Sequence, residues 1–139
     1  CAGQKIVLFS RRAAVSSAVS IIKTGESFMK LRAIILAGGA SARLWPLTRY
    51  VPKQLVPFRG STLLEESLER VVPCASDGII ISTASIYQEA TEAIAERYGA
   101  SVVSEPEPRN TALAVAYALA DEAIADTTIL LFMPSDHSI

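Results

Sequence analysis

An α/β fold with an open, mostly parallel sheet is predicted by two observations: four short apolar runs that do not alternate with polar residues, and helical patterns with start signals between them. The runs Ala33 to Leu36, Gly78 to Ser82, Ser101 to Ser104 and Thr128 to Met133 are rich in Ile, Val and Leu, as strands covered on both faces are. A first helix is expected after Thr62, with Glu65 completing a capping box and Leu64, Leu68, Val71 and Val72 on the buried face. A second is expected from Ser85 with Gln88 as its box partner, turning Ile86, Ala90 and Ile94 inward and ending at Gly99. Its acidic residues Glu89, Glu92 and Glu96 form a solvated face. Asn110 suits the N-cap of a third, in which Leu113, Ala116, Tyr117, Ala120 and Ile124 keep helical spacing. Strands and helices in alternation, joined by right-handed crossovers, give a three-layer α/β/α, Rossmann-like sheet.

At 139 residues the chain suits one domain with a real core. Thirteen basic side chains against fourteen acidic ones leave a net charge of −1, so nothing marks a nucleic-acid or anionic-membrane surface at whole-chain level, and neither partner is expected. Cys1 and Cys74 make neither a Cys-x-x-Cys pair nor a disulfide framework, and a reduced, cytoplasmic setting is expected. The apolar stretch Leu113 to Ala120 is cut by Asp121, far short of the roughly 20 residues of a membrane span. Composition leaves an oligomer open.

Residues 1–28 read as a separate piece, with Lys5, Arg11, Arg12 and Lys23 against Glu26 and little patterning before a fresh start at Met29. They are expected to be a disordered or non-native extension, with the folded domain over 29–139. A transit signal is the alternative, since Arg and Ser are enriched, but the apolar run Ile6 to Phe9 precedes the arginines and does not suit a secretory leader.

The chemistry lies at the ends of the strands. Ile34, Ile35 and Leu36 run into Ala37, Gly38 and Gly39, where missing Cβ atoms let backbone N–H groups come close to phosphate oxygens, and Arg43 and Lys53 add positive charge. The order matches neither Gly-x-Gly-x-x-Gly, which would need glycine at Ser41, nor the Gly-x-x-x-x-Gly-Lys loop. Read by themselves, the glycines are equally a tight strand exit. Asn110 either only caps its helix, with Arg109 paired to Glu105 or Glu107, or opens a helix end that takes an electron-rich ligand, and Asp136, after an apolar strand, is a turn residue or a ligand for a hard cation. In open α/β sheets ligands sit beyond the carboxyl ends of strands, and the glycine turn, Glu105 to Thr111 and Pro134 to Asp136 each follow a different strand.

These three pieces, with Trp45-Pro46 and Pro52-Lys53-Gln54 inside the first, Glu105-Pro106-Glu107-Pro108-Arg109-Asn110-Thr111-Ala112 as the second and Pro134-Ser135-Asp136-His137 as the third, resemble the sugar-1-phosphate nucleotidylyltransferases. Within that family they are similar to the mannose-1-phosphate guanylyltransferases. The resemblance runs from about Met29 to the end and implies transfer of GMP from GTP to mannose 1-phosphate, giving GDP-mannose and pyrophosphate. It implies Leu36, Ala37, Gly38 and Gly39 on the nucleotide, Arg43 on the leaving phosphates, Lys53 by the α-phosphate, Arg109, Asn110 and Thr111 at the base, and Asp136 on Mg2+. His137 reads as a supporting residue, not a base. Alternatives are thymidylyl or uridylyl transfer to glucose 1-phosphate and a non-catalytic nucleotide-binding fragment.

Two departures stand out. Ser41 replaces the loop's third glycine and would be strained by about 1 kcal/mol if that position needs positive φ. The chain stops at Ile139, before the region that in relatives holds the sugar and a second metal-binding aspartate, so an incomplete nucleotide-binding part with negligible turnover of its own is expected.

Overall fold

A computed structural model describes residues 6–8, 30–38, 51–58, 60–105, 115, 116, 120 and 128–135. Its elements in chain order are β1 (Ile6–Leu8), β2 (Leu31–Leu36), β3 (Pro57–Phe58), β4 (Ser61–Thr62), α1 (Leu63–Val71), β5 (Ile79–Ala84), α2 (Gln88–Tyr98), β6 (Ser101–Glu105) and β7 (Ile129–Pro134). Five strands form one sheet in the order β1-β7-β2-β5-β6, with every neighbouring pair parallel. β3 and β4 pair antiparallel as a short ribbon leading into α1. The α/β architecture expected from the unbroken apolar runs is the one observed, and each run lies in a strand.

Strand alternation sorts the core into two faces. Leu31, Ala33, Ile35 and Ala37 share one cluster with Leu131 and Met133, and Leu64, Leu68 and Val71 of α1 and Ile94 and Ala95 of α2 cover it. Ile34, Ile80, Val103, Leu130 and Phe132 form the other cluster, against which Val115 packs. Val115, Ala116 and Ala120 are helical, so a second helical layer lies on this face. The side change follows from the strand order. From β2 to β5 to β6 the chain moves one way across the sheet; from β6 to β7 it moves back, and a right-handed crossover in the reverse direction must pass over the opposite face.

α1 starts as the sequence predicts. The Thr62 hydroxyl accepts the Glu65 N–H at 3.2 Å and the Glu65 carboxylate accepts the Thr62 N–H at 2.6 Å, closing the capping box. Val72 is instead exposed, while Ser67 is buried. At 100° per residue the face centred on Leu64 and Val71 takes in Ser67, and Val72 stands at its margin as the C-cap.

The second helix differs more. Ser85–Tyr87 is a 3-10 turn, α2 begins at Gln88, and neither Ser85 nor Tyr87 caps by a side chain, so the expected Ser85–Gln88 box does not form. Ile86 is 78% exposed and Ala90 is exposed; the buried face is Thr91, Ile94 and Ala95. The tight turn shifts the helical register, and Thr91 tolerates burial because its hydroxyl donates to the Tyr87 carbonyl at 2.8 Å. Gly99 ends the helix in the left-handed conformation at φ 63°, as predicted.

β1 pairs with β7 in the register Ile6↔Leu130, Val7↔Leu131, Leu8↔Phe132. Three residues of the segment expected to lie outside the fold are thus part of the sheet, because an apolar tripeptide there completes the outer edge of β7. The rest of residues 1–28 lies outside the described residues.

Replacing Thr62 by Ala should lower stability by about 1 kcal/mol, read from the denaturant midpoint at unchanged slope. The Glu65 carboxyl has its pKa lowered: partial burial pushes it up, but the bonds from the Thr62 N–H and hydroxyl and the nearby Arg97 guanidinium outweigh that push. Since the folded value lies below the unfolded one, the stabilisation is present above the ordinary carboxylate range and is lost as pH falls through the folded value. The melting-temperature gap between the native chain and Glu65→Gln should therefore be largest near pH 7 and shrink steadily below about pH 4.

Candidate nucleotide-binding site

The strand order reverses at β2, whose neighbours are β5 on one side and β7 on the other. At such a reversal the connections leave in opposite directions and open a crevice at the carboxyl ends of the strands. Leu36 stands opposite Ser82 of β5 and Pro134 of β7. Just beyond, the Ala37 N–H donates to the Ser82 carbonyl at 2.7 Å and the Ser135 N–H donates to the Leu36 carbonyl at 3.1 Å. The Ser67 hydroxyl of α1 donates to the Ser135 carbonyl at 3.4 Å. The glycine turn and the position before Asp136 are thus held side by side by backbone groups.

A third segment comes in from below. Lys53–Leu55 is a 3-10 turn after buried Pro52, closed by the Leu55 N–H on the Pro52 carbonyl at 2.9 Å. Lys53 is half-buried, and Gln54 beside it is only 3% exposed and donates its side-chain amide to the Ala37 carbonyl. From the other flank Glu105, the last residue of β6 and 2% exposed, accepts the Ser82 hydroxyl at 2.8 Å. A Cβ placed on Gly38 would stand 2.9 Å from Glu105 Oε1. A side chain at Gly38 would therefore have to displace the Glu105 carboxylate, which Ser82 holds in place.

Of the residues expected at the site, Leu36, Ala37, Gly38 and Lys53 are described; Ala37 is buried with its peptide groups bonded on both sides, and Lys53 is next in chain to Gln54, which makes one of those bonds. Gly39, Arg43, Arg109, Asn110, Thr111 and Asp136 lie outside the described residues, as do Ser41 and His137. Two members of this constellation had no role from sequence reasoning. Gln54 was visible only as part of the Pro52-Lys53-Gln54 motif, although a polar residue flanked by Pro52 and Leu55 was a signal. Glu105 was visible as the acid that closes an apolar strand, the position from which a side chain reaches the rim.

Among the described residues no three His, Cys, Asp or Glu side chains are gathered as a metal site. The position expected to supply a metal-binding carboxylate, Asp136, directly follows the anchored Ser135. Among the described residues no helix is long and apolar enough to cross a membrane.

Gly38→Ala should destabilise the chain by about 1–3 kcal/mol, because the added methyl group forces the buried Glu105 carboxylate off Ser82. In a Glu105→Ala background the same substitution should cost less than half as much, which a double-mutant cycle of denaturant melts measures.

Comparison with known proteins gives the chain its family. Residues 32–139 match the family model described as nucleotidyl transferase. The mannose-1-phosphate guanylyltransferase of Sinorhizobium fredii (strain NBRC 101917 / NGR234) is 34% identical over 141 residues, covering 96% of this chain and 28% of that protein. With 96% covered, the alignment takes in most of residues 1–28. The mannose-1-phosphate guanylyltransferase of Salmonella montevideo is 38% identical over 112 residues, 76% of this chain and 23% of that protein. The chain thus spans about a quarter of the length of the curated relatives it matches. Among solved structures, the CTP:phosphocholine cytidylyltransferase of Streptococcus pneumoniae superposes with a TM-score of 0.64 at 28% identity, covering 77% of this chain and 45% of that one. With a sheet whose order reverses at β2 and a family match over residues 32–139, the chain belongs to the nucleotidyl transferase family.

Proposed function

We propose that this chain forms the nucleotide-binding part of a mannose-1-phosphate guanylyltransferase, with residues 29–139 as the front of its nucleotidyltransferase domain and the cytoplasm as its setting. One observation carries the reading: the turn at Ala37 and Gly38, the Lys53 turn and the chain before Asp136 converge where the strand order reverses. The relatives from Sinorhizobium and Salmonella, at 34% and 38% identity, support GTP and mannose 1-phosphate as the substrates.

The reaction makes modest chemical demands. A phosphate oxygen of mannose 1-phosphate is already ionised at neutral pH, so no Ser-His-Asp arrangement is needed to activate it. What is needed is in-line alignment on the α-phosphorus and neutralisation of charge as pyrophosphate leaves. Leu36 and Ala37, whose peptide groups are taken up by Ser135, Ser82 and Gln54, form the floor under the nucleotide, the backbone of Gly38 and Gly39 approaches its phosphates, the forked guanidinium of Arg43 neutralises charge on the departing phosphates, and Lys53 stands by the α-phosphate. Arg109, Asn110 and Thr111 are assigned to the guanine, because their sequence pattern is that of a helix start, whose N–H groups suit an electron-rich partner. Asp136 would hold Mg2+, which supplies Lewis-acid charge to the phosphate oxygens.

A second reading, cytidylyl transfer, is favoured by the likeness to the pneumococcal cytidylyltransferase. Calorimetric titration with GTP, CTP, UTP and dTTP in the presence of Mg2+ separates the readings. GTP should bind at least about tenfold more tightly than the other three. Preference for CTP would replace guanylyl by cytidylyl transfer, and preference for UTP or dTTP would move the reading to a glucose 1-phosphate enzyme. Exchange of labelled pyrophosphate into GTP, dependent on mannose 1-phosphate, tests the sugar; binding without exchange leaves a nucleotide-binding part only.

A further inference from the structure

Gln54 is a polar side chain with almost no solvent exposure, and its amide reaches across 17 residues to the Ala37 carbonyl. That carbonyl belongs to the peptide joining Ala37 to Gly38, so the bond fixes the plane in which the Gly38 N–H is presented. The Ala37 N–H is already bound to Ser82 of β5. Gly38 is backed by the Glu105 carboxylate, which Ser82 also holds. One end of the turn is thus tied to the sheet, and the other is tied to the Lys53–Leu55 turn by a single amide. Pro52 is buried and Leu55 packs on the larger core cluster, so the 3-10 turn is itself anchored. Lys53 is the chain neighbour of Gln54, and its backbone is carried by the same anchored turn.

From this we infer that Gln54 is a positioning residue that couples Lys53 to the glycine turn, so that the cation and the Gly38 N–H meet one triphosphate as a single preorganised unit. The inference rests on the nucleotide-binding reading but not on the identity of the base. Carboxamide chemistry is essential to it. An acceptor facing the Ala37 carbonyl would repel it, and an apolar isostere would leave that carbonyl without its donor.

The test uses the full chain and inorganic tripolyphosphate, an anion without a base, beside GTP. Gln54→Met, Gln54→Glu, Lys53→Met and the double variant Gln54→Met/Lys53→Met are titrated by calorimetry, with circular dichroism confirming that each folds. Each single substitution should weaken tripolyphosphate binding about tenfold, and the double variant should be no weaker than the worse single one, the non-additivity expected of groups acting as a unit. Amide exchange at Ala37 and Gly38 should rise in Gln54→Met and stay unchanged in Lys53→Met. Additive losses, native affinity in a folded Gln54→Met chain, or no tripolyphosphate binding by the native chain would each overturn the inference. If Gln54→Met does not fold, Gln54→Asn, which keeps the carboxamide but shortens its reach, carries the same cycle. Tripolyphosphate binding that follows the cycle without any preference for GTP would sink the guanylyl reading alone and uphold the role of Gln54.

Discussion

The structure depends on one parallel pairing, that of β2 with β7. Its six-residue register, from Leu31↔Ile129 to Leu36↔Pro134, joins strands nearly a hundred residues apart and fixes where the sheet changes direction. Because β5 already occupies the other side of β2, this pairing forces the last crossover onto the opposite face, and so creates the two-sided core. The Ser135 N–H on the Leu36 carbonyl carries the register one step past the strands, to the point where side chains begin to face a ligand. Fold and site are the same interaction followed upward.

The opposite end of the sheet is held by charge. Asp77 receives Arg32 at 3.2 Å and Lys30 at 3.5 Å, its backbone N–H donates to Leu31, and Thr128 donates to its carboxylate at 3.3 Å. One acid therefore ties together the starts of β2, β5 and β7. The Arg32 pair is mostly shielded and the Lys30 side chain is 63% exposed, so the first carries more of the stabilisation. Such a fastening keeps the amino ends of the strands together while the carboxyl ends remain available for chemistry.

Much of this was legible in the residues. Unbroken Ile, Val and Leu runs gave the strands, since a strand buried on both faces has no polar alternation to hide, and Thr62 with Glu65 gave a helix start because both halves of the box are local. Ser85 with Gln88 offered the same letters and no box, because the 3-10 turn sets Tyr87 at φ −112°, ψ 5° and the helix begins one turn later. Burial of Thr91, Ser67 and Gln54 was illegible for a different reason: each is satisfied by a backbone carbonyl distant or hidden from a hydropathy pattern. At the site, sequence spacing found the loops that converge. The contacts that hold them, Gln54 on Ala37 and Glu105 against Gly38, are long-range and became visible only with the sheet assembled.

The place of β7 between β1 and β2 also sets an order of events during synthesis. Ile6 waits for Leu130 and Leu31 waits for Ile129, so until the seventh strand of the series arrives β1 has no partner in the described sheet and β2 is paired on its β5 side alone. A half-made chain therefore presents the apolar rim of Ile34 and Ile35 to whatever is nearby, and this is the interval in which a chaperone, or a neighbouring nascent copy, competes for it.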